Sequence, residues 1–208
     1  MIHVPDKPFN IRITHEVKRI QKVQVGLHFY TQTICETVSH KYKRGIIMEL
    51  WDAYDEKLNR LDGMTLIRGE EVPDGVFHLV CEIIVRHADG TYLLMQRDHR
   101  KHLGGMWEAT AGGSALQGED PIICALRELS EETGIKADKL TEVGRVLHHL
   151  HRSIYVDYLC ETDVDKDSIV LQVGETSGYK WVTAEELRSM TRNELATQRI
   201  LNFIEELK

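Results

Sequence analysis

The chain has 208 residues, 42% of them hydrophobic and 28% charged, with a formal net charge of −7. That length supports one sizeable core, or one domain plus an appendage, and so acidic a balance argues against general nucleic-acid binding. No apolar run approaches a membrane span, and the opening MIHVPDKPFNIR has no apolar stretch of signal-peptide length. The four cysteines, Cys35, Cys81, Cys124 and Cys160, are far apart and form no CxxC. The last three lie in apolar runs, which predicts buried, reduced thiols in a cytoplasmic protein rather than a disulfide framework or zinc site.

Residues 1–47 carry the weakest pattern. Val23, Val25, Leu27 and Phe29 alternate as in a strand, while Val17, Ile20 and Gln24 fit one side of a helix, and periodicity does not separate the two. His3, His15, His28 and His40 have no ligand spacing. Arg44-Gly45 can be encoded AGG-GGN, a ribosome-binding sequence, with only Ile46 and Ile47 before Met48. The expectation is therefore a domain over 48–208 whose natural translation starts at Met48, with 1–47 an extension of doubtful status. The alternative is a genuine extension acting as a dimer or lid element.

From Met48 the pattern sharpens. MELWDAYDEKLNRLDGMTLIRG predicts two strands joined around Asp62-Gly63. VFHLVCEIIV (76–85) and YLLMQR (92–97) predict two central strands, turned by Ala88-Asp89-Gly90. A polar, glycine-rich loop follows. Within and beside it, Arg97, His99, Arg100, Lys101 and His102 form a basic cluster in an acidic protein, suited to clamping phosphate or to simple solvation.

Glu119, Asp120, Pro121 and Gly134 mark the two ends of a helix. Ile122, Leu126 and Leu129, flanked by Ala125 and Thr133, give it an apolar stripe. Glu128, Glu131 and Glu132 stand at i, i+3 and i+4, so their carboxylates share one face and repel one another. A divalent cation removes that penalty. Oxygen-only ligands select a hard ion, Mg²⁺ first, with Mn²⁺ or Ca²⁺ as alternatives. Arg127 can pair with Glu119 or a cluster carboxylate and fix its orientation. Gly112 and Gly113 let backbone approach a metal or phosphate.

Gly113, Glu119, Arg127, Glu128, Leu129, Glu131, Glu132, Gly134 and Ile135 match the Nudix box at every position. A chance match in a chain this long is on the order of 10⁻⁷ at average residue frequencies. The segment thus resembles the Nudix hydrolase family, which implies an α/β (α+β) fold: a mixed β-sheet between helices, here with an N-terminal β-hairpin leader. The resemblance implies Mg²⁺-dependent hydrolysis of a diphosphate linkage in a nucleoside diphosphate derivative or similar small molecule. It implies metal binding by Glu128, Glu131 and Glu132, with Arg127 orienting them. It gives Glu175, in the loop before YKWV (179–182), the role of further base or metal ligand. Arg97, Trp107, Gly112 and Gly113 are the implied substrate-side residues, and homodimerisation is common in the family. The leader, His78 and ETSGYKWVTAEEL are also similar to isopentenyl-diphosphate isomerase, the rival activity. That enzyme needs a cysteine just before the helix, where this chain has WEATAGGSALQGE. A catalytically silent ligand sensor is the second rival, although such domains usually lose box carboxylates.

After the box, Val143 to Cys160 predicts two strands, with His149 and His151 on one strand face and His148 on the other. Glu161 to Asp167 reads as a charged turn. Thr183 with Glu186, and Thr191 with Glu194, predict helices over roughly 184–190 and 192–207.

Overall fold

A computed structural model describes residues 40–43, 46–197 and 201. The strand-or-helix alternatives of 17–29 and most of the helix expected over 192–207 lie outside the described residues. Ten strands and two α-helices are described. β1 (His40–Lys43), β2 (Ile46–Tyr54) and β3 (Arg60–Ile67) form one antiparallel sheet. β2 runs through Met48, and its pairing with β1 crosses the expected domain boundary.

The main sheet has the order β10-β5-β4-β9-β8: Thr176–Val182, Tyr92–Arg97, His78–His87, Ser153–Thr162 and Thr141–His148. β4 runs parallel to β9, and the other pairings between these strands are antiparallel, so the sheet is mixed. β4 and β5 touch in register only at Arg86 and Tyr92. Beyond that point they splay, β6 (Trp107–Glu108) pairing with β5 and β7 (Ala111–Ser114) with β4.

Strand alternation divides the core. Leu79, Cys81, Ile83 and Val85 of β4, with Leu93 and Met95 of β5, pack on Cys124, Ala125 and Leu129 of α1 (Pro121–Thr133). Ile84, Tyr92 and Leu94 point the other way, toward Leu187 of α2 (Ala184–Ser189) and Leu195. With both faces covered, β4 can be apolar almost throughout.

The hairpin turn falls at 55–59, not at Asp62-Gly63. Asp55 closes it, its carboxylate accepting from the backbone N–H of Lys57 and Asn59 at 2.8 and 2.9 Å. Gly63, at φ +79°, lies in β3, where the register slips opposite Ala53. A bulge uses the same left-handed conformation as a turn, which is why the pair misled. The three histidines also differ from expectation. The β8–β9 turn takes 149–152, His148 stacks on His151 at 3.9 Å, and His149 meets the edge of Phe77. Thr183 and Glu186 form a complete capping box for α2. Thr191 and Glu194 instead close a turn, after which Leu195 bridges to Trp107; a helical residue is next described at Leu201.

Candidate active site

The box builds its site from two pieces. The first is α1, which starts at Pro121 and stops at Gly134 in the left-handed conformation, φ +76°. The second is β7 and the loop after it, laid antiparallel on β4 so that Gly112 and Gly113 sit opposite Glu82 and Cys81.

Gly112 is sterically required against backbone, and Gly113 leaves room for the Glu128 carboxylate. A Cβ at Gly112 would lie 2.2 Å from the Cys81 carbonyl oxygen, and one at Gly113 would lie 2.4 Å from Glu128 Oε1. Gly113→Ala therefore displaces Glu128. An expected loss of about 10²-fold in turnover, with the fold retained by circular dichroism, tests this cradle, and unchanged turnover would refute it.

Arg127 organises the carboxylates. It forks onto Glu119, Nε to Oε1 at 2.7 Å and Nη2 to Oε2 at 2.8 Å. Nη1 donates to Glu128 at 2.7 Å and Glu131 at 3.1 Å, and Nη2 to the Ser114 carbonyl at 3.2 Å. Burial opposes the guanidinium charge, but Glu119 and Glu128 more than offset it and raise its pKa. Glu119 also accepts from the Leu116 N–H at 2.8 Å, which shapes the loop into α1.

Glu132 points elsewhere and accepts from the Gly112 N–H at 3.0 Å. Burial raises its pKa to about 8, with the nearby Glu128 and Glu108 charges adding to the shift. Burial also raises that of Glu128. Among the described residues no three His, Cys, Asp or Glu side chains stand in a ready metal-ligand arrangement. Glu128 and Glu131 meet at the Arg127 guanidinium instead. The donor set still fits a hard divalent cation. It consists of carboxylate oxygens, with Glu132 and Glu128 both pushed upward in pKa by burial, a penalty that a bound cation would relieve, beside a glycine that leaves Glu128 its space.

The remaining predicted residues are divided. Glu175 ion-pairs with Lys101, and its carbonyl accepts from the Asp98 N–H at 2.9 Å, so the loop before β10 is tied to the basic loop. Arg97 is only 17% exposed, pairs with Glu108, and donates from Nε to the His102 carbonyl at 2.8 Å. Trp107 lies beside the second core, with the Lys180 ammonium 4.3 Å from its ring centre.

Sequence reasoning did not single out the leader's contribution. The Gln117 N–H donates to the Leu50 carbonyl, Gln117 Nε2 to Thr65 Oγ1, and the Gly118 N–H to Asp52, each at 2.8 Å. These bonds bolt the hairpin to the box loop. Trp51 stacks on His78 at 4.2 Å, and His78 reaches Ser153 at 2.7 Å and Ser114 at 3.4 Å. Burial pushes the His78 pKa down to about 4, so the ring is neutral at pH 7. The Trp51–His78 stack links β2 to β4, and no sequence spacing signals it.

Residues 76–206 match the family model described as the NUDIX domain. An uncharacterized Nudix hydrolase of Listeria monocytogenes is 32% identical over 163 residues, covering 77% of this chain and 96% of that protein. An isopentenyl-diphosphate Delta-isomerase of Photorhabdus laumondii is 30% identical over 127 residues, 57% of this chain and 70% of that one. The crystal structure of a Deinococcus radiodurans protein superposes with a TM-score of 0.61 at 18% identity, covering 76% and 98% of the two chains. The intact box and the hydrolase relatives mark an enzyme of the pyrophosphohydrolase type. By its box, its mixed sheet and its relatives, the chain belongs to the Nudix family.

Proposed function

We propose that the protein is a cytoplasmic, Mg²⁺-dependent hydrolase of the diphosphate linkage in a nucleoside diphosphate derivative or similar small molecule. The observation that carries this reading is the Arg127-ordered carboxylate set on α1, with Glu132 beside Gly112 and Glu128 against Gly113. Glu128, Glu131 and Glu132 would hold the ion. Bound there, Mg²⁺ supplies charge neutralisation of the diphosphate and an acidified water. The protein's own groups do the rest. A carboxylate, either of the box glutamates or of Glu175, takes the proton of the attacking water. Oxygen attacks phosphorus, the bridging P–O bond breaks, and the leaving phosphate departs with the electron pair. Arg127 holds the glutamates in register throughout. Arg97, Trp107 and the backbone at Gly112 and Gly113 are the proposed substrate contacts, which for Arg97 means sharing its charge with Glu108.

The similarity to the Photorhabdus enzyme favours the isomerase reading, as do the leader, His78 and the ETSGYKWVTAEEL segment. The described cysteines weigh against it. Cys81, Cys124 and Cys160 are free and fully buried. The Cys124 thiol is pushed far up by its neighbour Cys81 and by burial, so it is an inert packing group.

The test is turnover by the wild type and a Glu132→Gln control, with Mg²⁺ and a panel of diphosphates including ADP-ribose and isopentenyl diphosphate, read by mass spectrometry. Cleavage by the wild type and not by the control is expected. Isomerised isopentenyl diphosphate would transfer the protein to the rival class. Binding of ADP-ribose without cleavage would favour a sensor.

A further inference from the structure

We propose that His78 is a positioning residue for hydrolysis: fixed as one tautomer by Ser153 and Trp51, its ring holds the Ser114 hydroxyl and thereby the Ser114 carbonyl that receives Arg127. This rests on the hydrolase reading of the same site.

The protons assign the tautomer. The Ser153 hydroxyl has a single hydrogen and donates it to the His151 carbonyl at 2.9 Å. Its contact with His78 Nε2 at 2.7 Å then runs the other way, Nε2–H donating to Ser153 Oγ. Burial pushes the His78 pKa down to about 4, so the ring is neutral at pH 7 and has only that one N–H. Nδ1 is left as an acceptor, and it takes the Ser114 hydroxyl hydrogen at 3.4 Å. That bond is long, as hydrogen bonds in a site often are before a ligand binds.

The ring is held from its face and from its backbone. Trp51 stacks on it at 4.2 Å with 15° between the planes. His78 opens β4 in register with Ser153 of β9, and its N–H donates to the Arg152 carbonyl at 3.0 Å. The imidazole is therefore fixed to the central parallel pair of strands.

Ser114 passes this fixity to the box. It ends β7, directly after Gly113, and lies opposite Val80 of β4. Its side chain is on His78, while its carbonyl accepts from Arg127 Nη2 at 3.2 Å. Through Nη1 the same guanidinium reaches Glu128 at 2.7 Å and Glu131 at 3.1 Å. Each link from the imidazole to the carboxylates is thus a direct hydrogen bond. Both ring nitrogens are engaged inside the protein, so the ring holds geometry and transfers no proton.

Two substitutions separate the two nitrogens. His78→Asn sets an amide oxygen near the place of Nδ1 and gives up the Ser153 bond, whereas His78→Gln sets an amide nitrogen near the place of Nε2 and gives up the Ser114 bond. On a compound that the wild type hydrolyses, His78→Gln should lower kcat about 10-fold and His78→Asn about threefold, with KM within about twofold for both. Ser114→Ala should reproduce the loss of His78→Gln, and the double variant His78→Gln/Ser114→Ala should lose no more than either single one. Nitrogen NMR of the wild-type ring should show Nε2 protonated and Nδ1 bare, with the Nδ1 signal moved in Ser114→Ala. The Arg127 Nε–H should exchange with water about 10-fold faster in His78→Gln and in Ser114→Ala than in the wild type. Wild-type kcat in His78→Gln, losses that follow Tm instead of the nitrogen removed, additive losses in the double variant, or a proton on Nδ1 would each overturn the proposal. A wild type that cleaves nothing in the panel would remove the hydrolase reading alone. The tautomer and the Arg127 exchange rates would then decide by themselves whether His78 holds Ser114 and Arg127.

Discussion

Glu132→Gln is expected to lower kcat by about 10²- to 10⁴-fold and, in metal-free protein, to raise stability at alkaline pH. Both effects come from one carboxyl group. Glu132 is buried, and its pKa stands near 8 in the fold against the ordinary 4.5. Between those values the unfolded chain has released a proton that the folded chain keeps. Stability from this group is therefore complete below pH 4.5 and is lost as pH rises through 8. Glu128 shifts in the same direction for the same cause, burial. Chelator-treated wild type should melt at progressively lower temperature from pH 5 to 8.5. The Gln variant should show a shallower slope, because a neutral amide has no proton to lose. Added Mg²⁺ should raise the wild-type Tm more at pH 8 than at pH 5.5 and do much less for the variant. Parallel slopes for the two proteins would remove burial of Glu132 as the cause.

Arg127→Ala is expected to cost about 3–5 kcal/mol, because it strands Glu119 as a buried, unpaired carboxylate. The Glu119 side chain is only 2% exposed, so little water reaches it. Denaturant melts should show the loss. The double variant Glu119→Gln/Arg127→Met should lose less than the sum of the single variants, since removing both charges leaves no orphan. Additive losses, or a single-variant loss below about 1 kcal/mol, would show the fork to be an ordinary surface ion pair. Catalysis should fall as well, because Arg127 Nη1 fixes Glu128 and Glu131.

Much of this was legible in the sequence because the interactions are local. The ends of α1, its apolar stripe and the common face of its glutamates follow from helical spacing and from Pro121 and Gly134. β5 begins and ends where its apolar run does. The Thr183 capping box needs only four neighbouring residues. The misreadings arose where a local pattern has two uses. Asp62-Gly63 suits a bulge as well as a turn, and Asp55 outcompeted it by accepting two backbone N–H bonds. Thr191 and Glu194 cap a turn, because Trp107 pairs with the backbone that follows.

The sequence by itself determined the family, the helix and which carboxylates share its face. The family follows from one continuous stretch, Gly113 to Ile135, and the helix and its shared face depend on residues within about four positions of one another, relations that backbone geometry sets without help. Tertiary structure alone decided the rest. It settled that Glu128 and Glu131 meet at Arg127 while Glu132 turns to Gly112, and that Arg97 faces Glu108 and Lys101 faces Glu175. It also bolted the leader hairpin to the box loop through Gln117 and Gly118. These are contacts between strands and loops far apart in the chain. Sheet order, the splaying of β4 from β5 and the stacking of Trp51 on His78 create them, and no spacing of residue types encodes such a meeting.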